Sequence, residues 1–154
     1  FNALKAPRKS GAIEVTGRNF RLRDAEKLLL LWATQRNLKK DIVYSTHVEA
    51  SALAIEGGMP GGIIFGAFSA YRLSYNEAPA DYDRVYVYSD EPAAIEKRFP
   101  RKKGQENLFV IRPDRWLKSF GLVTPPVQTF VDLWNVSEWY AKDFLNALRL
   151  KLKL

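Results

Sequence analysis

Asp81 and Asp83 are the residues of this chain best spaced for catalysis. Carboxylates at i and i+2 on an extended segment project to one side and can share a divalent metal, the arrangement that phosphoryl transfer with two metals requires. They lie before an apolar strand, however, in a Pro-Ala-Asp-Tyr-Asp-Arg turn, where aspartates commonly bond their own backbone. The glycine-rich stretch over residues 57–66 invites a phosphate-cradling role but lacks Gly-Lys-Ser/Thr, so a turn between helices is the plainer reading. His47 is the only histidine, and Gly66-Ala67-Phe68-Ser69 is not a nucleophile elbow. Asp132 sits inside an otherwise apolar helical stretch with no second carboxylate or His near it in sequence, which suits a bond to a backbone amide or a basic partner. No catalytic residue, metal ligand or cofactor is therefore expected.

The stronger signal is cationic. Arg8 and Lys9, the paired Arg18 and Arg21, and the run Arg101-Lys102-Lys103 can all contact phosphate oxygens, which demand only positive charge and reach; a solvated surface is the bland alternative. Of the 154 residues, 24 are Lys or Arg and 17 Asp or Glu, a net charge of +7 that favours anionic partners, nucleic acid first. The excess is concentrated before residue 41, with an acidic span over residues 77–96 and a basic run after it, so one side of the molecule is expected to face an anion. Nothing in the sequence reads bases directly, since neither a recognition helix nor an aromatic RNA-binding motif is present.

At 47% hydrophobic content, the chain can build one core, and it is read as a basic tether over residues 1–10 followed by a single domain over residues 11–154. Cysteine is absent, which removes disulfides and thiolate chemistry and fits a reducing compartment. No run reaches the roughly 20 apolar residues that span a bilayer, and no leader signature is evident, so a cytoplasmic location is expected.

The elements that must position these residues follow from periodicity. Residues 12–15 and 20–22 flank Thr16-Gly17-Arg18-Asn19 and predict a short hairpin. Residues 23–38 predict a helix with Ala25, Leu28, Leu29 and Trp32 on one face. Strands are expected near residues 41–46, 85–88 and 107–111, and helices over 49–56, 63–73 and 92–99, with a helical turn at 115–120. Thr124 is expected to cap a helix starting at Pro125, with Val127, Phe130, Val131 and Trp134 as its core stripe. Ser137 restarts the pattern, and Trp139, Tyr140, Phe144, Leu145 and Leu148 extend a second aromatic face towards a common partner. The alternating tail from Leu148 to Leu154 reads as a fraying helix end or a pairing strand. The fold class is α/β or α+β: a mixed β-sheet flanked by helices, ending in two aromatic-rich helices.

Three of these blocks, in order, resemble the AbiEi-type antitoxins, transcriptional regulators of type IV toxin–antitoxin systems. Residues 126–134, Pro-Val-Gln-Thr-Phe-Val-Asp-Leu-Trp, are similar to that family's Pro-x-x-Tyr/Phe-x-Asp-Leu-Leu-like helix. Leu28-Leu29-Leu30-Leu31-Trp32 resembles its Leu-Leu-x-x-Trp helix, and residues 62–70 before the strand at 85–88 resemble its Gly-x-Ser/Ala-Ala helix before an edge-rich strand. The resemblance implies a non-catalytic domain that supports DNA binding and protein association, with a nucleotidyltransferase toxin as possible cognate partner and self-association open. Trp32, Phe130, Asp132, Trp134 and Trp139 are its candidate structural or interaction residues. The family's winged helix-turn-helix precedes these blocks, whereas this chain opens with ten residues too short to hold one and without Met, as a piece of a longer protein would. Two alternatives stand beside this reading. One is a diverged nucleotidyltransferase, for which Gly61-Gly62 and then Asp81 and Asp83 supply a similar order of parts; the other is a basic protein-interaction module.

Overall fold

The computed structural model describes residues 2–154. A four-stranded mixed sheet lies at its centre, in the order β3 (Ile42–Thr46), β6 (Leu108–Ile111), β5 (Val85–Tyr88), β4 (Ile64–Phe65). The central pair β5 and β6 is parallel, and β3 and β4 close the sheet antiparallel on either side. β5 is thus an inner strand, not an edge strand, and all four of its residues are buried. Its Val-Tyr-Val-Tyr alternation divides cleanly: Val85 and Val87 join Leu108 and Val110 in one core, while Tyr86 and Tyr88 join Ile111 in the other. A pleated strand sends successive side chains to opposite faces, so a strand buried on both sides reads as continuously apolar or aromatic.

Helices cover both faces. The larger core packs against α2 (Ala25–Gln35), α4 (Ala67–Tyr75), α6 (Pro126–Asn135) and α7 (Ala141–Leu152). The smaller one packs against α3 (Ala52–Gly57) and α5 (Pro92–Arg98). The α/β architecture with helix-flanked mixed sheet matches expectation. Phe144 centres the aromatic packing, with ring centroids 4.9 Å from Phe68, 5.5 Å from Tyr71 and 5.9 Å from Tyr82.

Several local expectations are corrected. Within the span expected to be a tether, residues 2–9 form a helix, α1 (Asn2–Lys9), which leads through the bonds Ser10 N to Ala6 O and Ala12 N to Pro7 O into the hairpin of β1 (Ile13–Thr16) and β2 (Asn19–Leu22). The hairpin itself is as expected, with Gly17 supplying φ +59° at the first loop position. Ile64 and Phe65 form β4, so the helix expected from residue 63 begins only at Ala67. Pro125, not Thr124, precedes α6; the Thr124 hydroxyl pairs with that of Thr129 at 2.6 Å. α7 begins at Ala141, since Ser137 lies in the connection, and it runs to Leu152, so the tail is helix and not a pairing strand. The predicted stripe of α6 is only half buried: Phe130 and Val131 are covered, while Val127 is 44% and Trp134 42% exposed. Trp139, at 79% exposure, is the furthest from expectation.

Candidate functional site

Two regions carry the candidate residues. The first is the unit of α1 and hairpin. Arg8 and Lys9 end α1, where cations favourably oppose the negative end of the helix, and Lys5 lies one turn earlier. Arg18 occupies the hairpin loop and Arg21 stands opposite Glu14 on β2. All five side chains are exposed, and none forms an ion pair among the described residues; Glu14 is taken by Arg23. The loop of Arg101, Lys102 and Lys103 belongs elsewhere, following α5 on the side of the smaller core. Its charge is partly spent: Arg101 lies over the Tyr44 ring at 5.1 Å, and Lys102 Nζ is 2.8 Å from Glu49, whose carboxyl it holds below the usual range. The structure therefore separates basic residues that sequence reading had grouped.

The second region is a cleft at the carboxyl ends of the parallel strands β5 and β6, the end where open α/β sheets present ligand sites. Trp32, Arg36, Asp41, Tyr88, Arg112 and Gln128 line a pocket of about 240 Å³ there. Beneath it lies Asp132, 1% exposed. Tyr88 donates from its hydroxyl to Asp132 Oδ2 at 2.8 Å, and Gln128 Nε2 donates to Oδ1 at 2.9 Å. Gln128 is four residues before Asp132 on α6, so helical geometry alone puts them together. Desolvation pushes the Asp132 carboxyl up to about 7, against the opposing pull of these two bonds and the charge of Arg36. The Tyr88 hydroxyl is also raised, first by burial and then by the adjacent carboxylate. Burial pulls the Arg36 guanidinium down, but its pairing with Asp41 and the neighbouring Tyr88 and Asp132 more than offset this and leave it raised. Gly66 makes the arrangement possible, since a Cβ there would meet the Tyr88 ring at 3.1 Å and Asp132 Oδ2 at 3.5 Å.

No protein-family model, curated protein or solved structure matches this chain.

Asp81 is exposed, and the Asp83 side chain is 77% exposed. Asp83 accepts a hydrogen bond from the Tyr140 hydroxyl at 2.6 Å and lies 4.0 Å from Arg84. Among the described residues no group of three or more His, Asp or Glu side chains is placed to hold a metal. His47 Nδ1 lies 2.7 Å from the Gln105 carbonyl oxygen and packs over Gly104. Glu56, missed in the sequence, is 7% exposed; it accepts from Ser69 at 2.7 Å and Tyr82 at 2.6 Å and pairs with Arg72 at 2.6 Å. Every partner in that cluster is satisfied, which marks it as internal bracing between α3 and α4. Arg36, Tyr88, Arg112 and Gln128 were likewise missed. Their only sequence signal was Asp132, a carboxylate interrupting an apolar helix. Among the described residues, no helix is long and apolar enough to cross a membrane.

Proposed function

We propose that this chain is a non-catalytic regulator domain of the AbiEi antitoxin type, contributing nonspecific DNA contacts and protein association. The observation that carries the DNA part is the α1 and hairpin unit. A helix leading directly into a two-stranded ribbon presents Lys5, Arg8, Lys9, Arg18 and Arg21 with no ion pair among the described residues to spend their charge. A helix and a β-ribbon are the two shapes that a DNA groove admits, and unpaired cations on them release counterions on binding. The association part rests on Trp139 and Trp116, 79% and 65% exposed, since large aromatics on a surface are typical of interfaces. A nucleotidyltransferase toxin and a second copy of the chain are the partners to try first. The exposed positions of Asp81 and Asp83, with no third carboxylate or His beside them among the described residues, lend no support to the metal-dependent nucleotidyltransferase alternative.

Binding to random double-stranded DNA as a function of salt tests this reading. The log–log slope is expected to be steep and negative, and Arg18→Ala with Arg21→Ala should flatten it by about 0.9 per lost phosphate contact. Neutralising Lys102, which already pairs with Glu49, should change the slope less. A slope indifferent to the hairpin arginines would overturn the assignment.

A further inference from the structure

The polar cleft does not end at Trp32. That side chain also lines a second depression of about 430 Å³ formed by Leu22, Ala25, Leu28, Leu29 and Val127, from the hairpin, α2 and the first turn of α6. Ala25, Leu28 and Trp32 are the apolar stripe of α2, and the fold covers only part of it: Leu29 is 6% exposed, but Trp32 is 39%, Leu22 50% and Val127 44% exposed. One indole thus joins a polar pocket to an apolar groove.

The lining of the polar pocket is balanced in charge, Arg36 and Arg112 against Asp41 and Asp114, but three of these four are already engaged within the protein. Asp41 pairs with Arg36. Asp114, also on the pocket wall, accepts from the backbone of Trp116 at 2.8 Å and Leu117 at 2.9 Å. Asp132 is held by Tyr88 and Gln128 below the floor. Arg112 differs: among the described residues no hydrogen bond or ion pair engages its guanidinium, and it is exposed on the pocket wall. A planar guanidinium with five donors is matched to a carboxylate. The pocket, about 240 Å³, has room for a polar head group. A longer ligand that stays on the protein can continue past Trp32 into the groove.

We propose that this joined cleft binds an amphipathic organic acid, its carboxylate on Arg112 and its apolar body laid across Trp32 between Leu28 and Val127. The unengaged Arg112 guanidinium on the pocket wall is the charge complement of a small anion. The assignment is independent of the DNA reading.

Titration calorimetry with acetate, hexanoate, octanoate and decanoate at neutral pH, below micelle-forming concentrations, tests it. Affinity should rise about three- to fourfold for each methylene that enters the groove. Arg112→Ala, a change at an exposed position, should weaken every member about tenfold while preserving the increments. Leu22→Ser should reduce the gain between hexanoate and decanoate. The proposal is overturned by the absence of saturable decanoate binding, by affinity independent of chain length, or by decanol binding as tightly as decanoate. It is equally overturned if the protein dimerises in sedimentation, insensitive to decanoate, and Leu22→Ser abolishes the dimer, because the groove would then belong to a second copy.

Discussion

Asp132 shows at the residue scale how burial and bonding compete. Its carboxyl accepts two hydrogen bonds that favour the charged form, yet complete desolvation outweighs them and raises it from 3.8 to about 7. The folded state therefore holds a proton that the unfolded chain has released between those two values. Stability linked to this group is fully present below about pH 4, falls as pH rises towards 7 and is constant above, a difference on the order of a few kcal/mol. Asp132→Asn removes the titration while Gln128 can turn its amide to satisfy the new donor. The melting-temperature difference between variant and parent should move in favour of Asn as pH rises from about 4 to 8. A difference independent of pH would mean that Asp132 does not titrate in this window.

At the element scale, α7 illustrates why aromatic content alone does not locate a face. Phe144 is fully buried among three rings, whereas Trp139, five residues earlier in the connection, is largely in solvent. Phe144→Ala should cost about 3–5 kcal/mol in denaturant unfolding, because the surrounding rings cannot collapse into the space left. Trp139→Ser should change stability by no more than about 0.5 kcal/mol. A comparable loss from both would place Trp139 inside the fold. α6 carries the same lesson in finer detail: the stripe predicted at Val127 and Trp134 rotates so that Gln128, Asp132 and Leu133 are buried instead. The polar pair is accommodated because Tyr88 meets it from β5.

For the whole molecule, the sheet is the shared wall of two cores, so β5 and β6 cannot open without exposing both. The α1 and hairpin unit lies outside those cores; Phe20 and Leu22 are 59% and 50% exposed. Amides of β5 and β6 should exchange hydrogen only through global unfolding, while those of β2 exchange through local opening with far less protection. Equal protection of β2 and β6 would show that the hairpin folds as part of the central unit.

Local physics was enough to read much of this from the chain. The Val-Tyr-Val-Tyr period, Gly17 between two short strands and the apolar spacing of residues 25–32 announced β5, the hairpin and α2, because each depends on neighbours within a few positions. The cationic N-terminal third was equally legible from composition. Tertiary structure alone decided which stripes are covered and which polar groups meet. Arg36, Tyr88, Arg112 and Asp132 come from four separate segments, and only the parallel pairing of β5 with β6, topped by α2 and α6, brings them to one cleft. Their convergence depends on contacts between distant parts of the chain, which no local periodicity encodes.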